Sequence, residues 1–242
     1  MSNYKTVFFI LGVLQIILGL SMIVPIMAQF YYNQIDSGFI GSGLVSIIFG
    51  VLFFLSNLDY EKKLTLPQAF LLTALSWLSI AIFGSLPFVF SDLSLSFTNA
   101  FFESMSGITT TGSTILTNLN ETPKAILLWR AMLQWLGGIG IIVMAITLMP
   151  IMNIGGMQLF VISNTHTPEK ILPKSKEISI RLIVIYSSLT LVCAFFYKIF
   201  GMSFFDSIVH SMTTIATGGF SNYNESIGCL LYTSDAADEH SW

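Results

Sequence analysis

The stretch FFESMSGITTTGST, Phe101 to Thr114, decides how this chain is read. Its first half can be helical. Its second half is a threonine tract broken by glycine, a poor helix former. On either side lie long apolar runs, Leu64–Ser91 and Ala131–Thr165, neither with a charged residue. A polar hairpin between two such segments is either an external turn or backbone buried at membrane depth.

Working outward, the 242 residues are 54% hydrophobic and 10% charged, against roughly 25% charged in an ordinary soluble domain. Val7–Phe30 and Phe39–Leu58 are two further uncharged runs, and Leu182–Phe205 is interrupted only by Lys198. Each reaches or exceeds the roughly 20 residues that span a bilayer core. A lysine near the end of a span can snorkel to the interface. The fold class expected is an all-α polytopic membrane protein with about five spans, because a soluble core of this size needs more polar surface than the chain has. Val7–Phe30 is expected to be a span, being longer than the roughly 7–15-residue core of a signal peptide and lacking a cleavage pattern. Two cysteines and three dispersed histidines offer no disulfide framework or zinc spacing. No enzyme activity, cofactor or nucleic-acid partner is expected.

Basic residues set the expected orientation. With the N-terminus in the cytoplasm and a hairpin that dips in and returns on the same side, Lys5, Lys62, Lys63, Lys170, Lys174, Lys176 and Arg181 fall inside. Only Lys124, Arg130 and Lys198 fall outside. A full crossing by the hairpin would put the basic 153–177 loop outside, so the charge pattern predicts a re-entrant hairpin.

The hairpin occurs twice. Ser96–Gly112 (SFTNAFFESMSGITTTG) aligns without gaps on Ser203–Gly219 (SFFDSIVHSMTTIATGG), with seven identities in seventeen positions: Ser96/Ser203, Phe97/Phe204, Ser104/Ser211, Met105/Met212, Ile108/Ile215, Thr110/Thr217 and Gly112/Gly219. The unit reads as span, short helix, Thr/Gly tract, span. Internal repeats of this kind are common in transport proteins. The expected organisation is 1–65, two additional N-terminal helices; 66–152, a first pore repeat; 153–177, a cytoplasmic loop; and 178–228, an incomplete second repeat.

Non-helical backbone at membrane depth persists only where protein shelters it or water reaches it. Thr109, Thr110, Thr111 and Gly112, with Ala216, Thr217, Gly218 and Gly219, are the candidates. Glycine permits conformations closed to other residues, so successive carbonyls can turn toward one axis and replace the water shell of a cation. No side-chain charge stands in either tract. The preceding helix, about Leu95–Ser106, directs the negative end of its dipole at the tract, favouring a cation. Gly137-Gly138-Ile139-Gly140 reads as close helix packing beside the pore helix, and Arg130 as an interface anchor or partner of a loop carboxylate such as Glu121. For Glu103, helix packing and an outer-vestibule role stand as open alternatives to direct ion contact.

Three separated segments, SMSGITTTGST, WRAMLQWLGGIGIIV (Trp129–Val143) and SMTTIATGGFSNYNES (Ser211–Ser226), resemble in order the TrkH-type subunits of the Trk/Ktr/HKT superfamily of potassium transporters. The resemblance runs from about Asn3 to Ser226. It implies four span–pore-helix–filter–span repeats around one pseudo-fourfold pore, with Gly112 and Gly219 as the key filter glycines and K+ held by the backbone carbonyls of both tracts. It also implies two extra N-terminal spans, the bacterial inner membrane, lipid contact, a homodimer, and a cytosolic nucleotide-binding regulator of TrkA type.

The sequence departs from that pattern after the second tract. CLLYTSDAADE, Cys229–Glu239, resembles a translated sequencing adapter, so 229–242 is expected to be an artefactual tail. With one and a half repeats, the chain alone is expected not to conduct, since half a filter does not surround an ion. The alternatives are a Na+-permeable transporter of the same fold, against which Gly112 argues, and a carrier for another solute. A carrier would require polar groups at the midplane that are scarce here.

Overall fold

The computed structural model describes residues 4–34, 36–60, 64–152 and 171–226, with the side chains of 145–152 and 171–176 left aside. Lys62, Lys63, most of the 153–177 loop and the 229–242 tail lie outside the described residues.

The described chain is helical. Five helices are long and apolar enough to cross a membrane: Lys5–Tyr31, Gly38–Ser56, Leu66–Phe90, Lys124–Met144 and Glu177–Ile199. The first is two helices in line, α1 (Lys5–Ser21) and α2 (Ile23–Tyr31), joined at Met22. Pro25 explains the break, because it has no N–H to give and its ring crowds the carbonyl four residues back. α3 (Gly38–Ser56) runs back along α1 at close range. A methyl on Gly12 would lie 2.8 Å from the Gly50 carbonyl, and one on Gly19 would lie 2.9 Å from that of Gly43. In lipid, where apolar burial drives little, such close approach is what helix association rests on.

α4 (Leu66–Phe90) opens with Pro67 in its first turn, where proline is tolerated. The Gln68 side chain accepts from the Thr65 N–H at 2.9 Å. The short helix α5 (Phe97–Ile108) follows, then a return segment with a 3-10 turn at Leu119–Glu121, then α6 (Lys124–Met152). α7 (Ile171–Ile199) leads into the second short helix, α8 (Phe204–Ile215). The fifth apolar run is thus divided. The helix stops at Ile199, Gly201 turns the chain at φ +99°, and Phe204 and Phe205 begin α8. Lys198 closes that turn by donating to the Met202 carbonyl at 3.3 Å.

The hairpins do not cross. At 12 residues, α5 is about 18 Å long, well short of a bilayer core of about 30 Å. The end of α4 and the start of α6 lie at the same end of the bundle. A methyl on Gly38 would lie 2.9 Å from the Phe90 carbonyl carbon. The Lys124 N–H donates to Gln34 Oε1 at 3.0 Å. The start of α8 joins them, with Phe205 edge-on to Tyr32 at 5.6 Å and 4.9 Å from Lys124 Nζ. A core of Leu18, Met22, Phe39, Phe88, Trp129 and Leu133 sits beneath this end, and Trp129 Nε1 donates to the Gly84 carbonyl at 2.9 Å.

Candidate functional site

The aligned identities fall on the residues that shape each hairpin. Ser96 and Ser203 are the N-caps of α5 and α8, accepting from Asn99 N and Asp206 N. Serine at this position satisfies an otherwise orphaned helix N–H. Ile108 and Ile215 are the last helical residues. The first short helix therefore starts and stops two residues later than the span of about Leu95–Ser106 expected for it, and the second matches it at the same offset.

Beyond the helices, the two tracts have the same backbone. Thr110 and Thr217 have φ of 56° and 54°, and Gly112 and Gly219 have 82° and 76°. The left-handed region is uncommon for a non-glycine residue, and it recurs here at matching positions. The amides are tied back in parallel. Thr109 N donates to Met105 O and Ala216 N to Met212 O; Thr110 N donates to Gly107 O and Thr217 N to Thr214 O; Thr111 N donates to Ser106 O and Gly218 N to Thr213 O, all at 2.9–3.1 Å. With these six N–H groups spent on the preceding helix, the tract carbonyls other than that of Gly218 are left to act. The tracts meet backbone to backbone, for a methyl on Gly112 would overlap the Gly218 carbonyl oxygen.

Behind them stands α6. Arg130, Gln134, Gly137 and Gly138 lie on one face at helical spacing. Gly137 backs onto the Ile108 carbonyl, and Gly138 onto Ala216 and the Tyr186 hydroxyl. Close packing was the reading for this cluster, and it holds at these two positions; Gly140 faces open space. Gln134, fully buried, donates from Nε2 to the Gly218 carbonyl at 2.9 Å and accepts the Phe220 N–H at 3.2 Å.

Arg130 corrects an expectation. It pairs with Glu103, not Glu121: Nε to Oε1 is 2.7 Å, with both side chains essentially inaccessible. Glu121 accepts from Asn118 instead. Glu103 also accepts from Thr114 Oγ1 at 2.8 Å and from the Ile115 N–H at 3.0 Å, so it anchors the exit of the first tract. Arg130 donates onward to Thr114 Oγ1 and to the Ser221 carbonyl, both at 3.0 Å, and lies 4.2 Å from the Phe220 ring centre. It thereby joins the exits of both tracts. Glu103 is thus a structural anchor, bonded on all sides within the protein.

The second hairpin solves the same problem from another turn. The position matching Glu103 is His210, buried, with no partner for Nε2 among the described residues. The acid is Asp206, one turn earlier. Its carboxylate accepts from Ser203 Oγ at 2.6 Å, Asn222 Nδ2 at 2.7 Å and the Tyr223 hydroxyl at 3.1 Å. Further out, Asn224 Oδ1 accepts from the Leu119 N–H and Asn120 Oδ1 from the Asn224 N–H.

Gln134 and the Glu103–Arg130 pair were not assigned these roles from sequence. The available signal was chemical: an arginine and a glutamine one turn apart in an otherwise apolar span must find polar partners inside the protein.

A family profile described as TrkH, cation transport protein, matches residues 35–231. Trk system potassium uptake protein TrkI of Halomonas elongata is 40% identical over 220 residues, covering 90% of this chain and 45% of that protein. Trk system potassium uptake protein TrkH of Escherichia coli K12 is 39% identical over 230 residues, covering 93% of this chain and 48% of that protein. Among solved structures, the crystal structure of the potassium transporter TrkH from Vibrio parahaemolyticus superposes with a TM-score of 0.84 at 36% identity, covering 96% of this chain and 47% of that one. The chain spans about half the length of the relatives it matches.

Proposed function

The chain belongs to the TrkH family of cation transport proteins, and on that premise we propose that it supplies part of a K+ uptake pathway in which the backbone of Thr109–Gly112 and Ala216–Gly219 forms two sides of the ion path. The observation that carries this reading is the repeated tract geometry. Positive φ recurs at Thr110/Thr217 and Gly112/Gly219, and the amides of Thr109–Thr111 and Ala216–Gly218 are spent on helices α5 and α8. Carbonyls so released, at the negative ends of two short helices, suit a cation that sheds its water.

On this reading residues 66–152 are one pore repeat and 178–228 part of a second, with 1–65 an N-terminal helical hairpin beside them. The remaining sides of the path come from further repeats, which relatives about twice as long have room to hold. The N-terminus is cytoplasmic and the membrane is the bacterial inner membrane. The partners are lipid, a second copy of the complete subunit, and a cytosolic nucleotide-binding regulator. The names of the relatives, potassium uptake proteins of the Trk system, support K+ as the ion. Glycine at 112, where serine would favour Na+, supports K+ over a Na+-permeable relative of the same fold.

The test is uptake of Rb+, a K+ surrogate, with Na+ competing. The protein is this chain completed with the unmatched part of Escherichia coli TrkH, in cells lacking their own K+ uptake systems. Gly112→Ser and Gly219→Ser are each expected to raise Na+ entry relative to Rb+. An unchanged ratio in both would remove the filter assignment.

A further inference from the structure

The two tracts share a backbone but not a sequence: Thr111 in the first corresponds to Gly218 in the second. Thr111 is exposed and its side chain bonds Thr109 Oγ1 at 2.8 Å. No hydrogen bond reaches its carbonyl among the described residues. Gly218 is buried, and both its backbone groups are engaged. Its N–H donates to Thr213 O at 2.9 Å, and its carbonyl accepts from Gln134 at 2.9 Å.

Resting on the filter reading above, we propose that Gln134 is the positioning residue of the second tract, holding the Gly218 carbonyl in the seam between the tracts and withholding it from the ion. Three contacts place it there. Gln134 Nε2 holds the oxygen, and the same oxygen lies where a methyl on Gly112 would be, so it faces the neighbouring tract. Gln134 Oε1 takes the Phe220 N–H at 3.2 Å, so one amide grips the chain on both sides of Gly219. A methyl on Gly218 would overlap the Gln134 amide. A side chain at 218 therefore displaces the Gln134 amide, and one at 112 meets the Gly218 oxygen itself. The two sides of the path accordingly differ. The first offers the carbonyl of Thr111, and the second offers none at the matching level.

This sets the discrimination of the site. A carbonyl freed from Gln134 is an extra, mobile ligand, and a loosely held ligand set adapts to the smaller ion. The prediction is tested in the completed chain by Rb+ uptake against Na+. Gln134→Met keeps the side chain's length and removes both bonds. Losing a buried hydrogen bond at this level corresponds to a change of about tenfold in the Rb+/Na+ ratio, toward Na+. Gly218→Ala is expected to push the Gln134 amide off its carbonyl and to shift the ratio toward Na+ as Gln134→Met does. Gly218→Ala combined with Gln134→Met is expected to shift the ratio no further than either change alone, a non-additivity that two independent packing defects do not give. An unaltered ratio in Gln134→Met at normal membrane level overturns the proposal. If Gln134→Met does not accumulate, Gly218→Ala decides, and an unaltered ratio in that variant overturns the proposal. Failure here is separable from failure of the filter reading. Gly112→Ser and Gly219→Ser altering the ratio while Gln134→Met does not removes the strut alone; all three leaving it unchanged removes the filter.

Discussion

Replacing Glu103 with glutamine probes the joint on which both hairpins hang. The carboxylate accepts from Arg130 Nε, Thr114 Oγ1 and the Ile115 N–H. Glu103→Gln keeps the shape but turns an NH2 toward one of these donors and leaves the Arg130 guanidinium charged, buried and without its counterion. Removing one partner of a buried pair costs about 3–5 kcal/mol, since the stranded charge, not the lost attraction, dominates. For a chain of this size, at roughly 2–4 °C per kcal/mol, the apparent melting temperature falls by on the order of 10 °C. The assay is the melting of a fluorescently tagged 242-residue chain in detergent, followed by the monodisperse fraction on size exclusion. The double variant Glu103→Gln, Arg130→Met removes both the acid and the stranded charge, and is expected to melt above Glu103→Gln alone. A single variant that melts with the parent, or a double variant worse than the sum of its parts, would refute the argument that burial of an unpaired arginine sets the cost.

Other outcomes follow from the same geometry. Gly137→Ala drives a methyl into the Ile108 carbonyl and is expected to lower the melting temperature, whereas Gly140→Ala meets open space and gains up to about 1 kcal/mol of helix propensity; equal effects in the two would contradict the placement of α6. Asp206→Ala unties Ser203, Asn222 and Tyr223 together and should make the segment after Gly219 a preferred site of limited proteolysis, leaving the Glu103-held segment resistant. For topology, cysteines at Lys62 and Lys174 are expected to react with impermeant thiol reagents only from the cytoplasmic side and one at Thr117 only from outside; labelling of all three from one side contradicts the re-entrant hairpin in its proposed orientation.

Much of the architecture was legible because it is local. Five long apolar runs, four of them without a charge, give five long helices, and the serine caps, the final isoleucines and the positive-φ positions recur at one constant offset because each is fixed by its own hairpin. The kink at Met22 was also within reach, since Pro25 sits inside the first run. What sequence reasoning missed is long-range. Arg130 reads from sequence as an interface anchor or a partner of a loop carboxylate such as Glu121, but a solvated carboxylate offers a buried guanidinium less than Glu103, 27 residues away and sealed beside it. Gln134 reaches a residue 84 positions later, and nothing in the local composition of either segment names the other. The tract glycines were visible as glycines. That one lies against a neighbouring amide, and another against a carbonyl of the opposite tract, depends on packing.

The reach of Gln134 also bears on how the protein is made. Chains emerge from the ribosome at roughly 5–20 residues per second. The amide of Gln134 therefore enters the bilayer with α6 several seconds before Gly218, its partner 84 residues on, has been synthesised. Arg130 does not wait in the same way, because Glu103 precedes it. For that interval α6 carries an unsatisfied amide among lipid or at the insertion machinery. A stall between α6 and α8 would hold the nascent chain in that state, so the pace of synthesis across residues 153–203 becomes a determinant of yield.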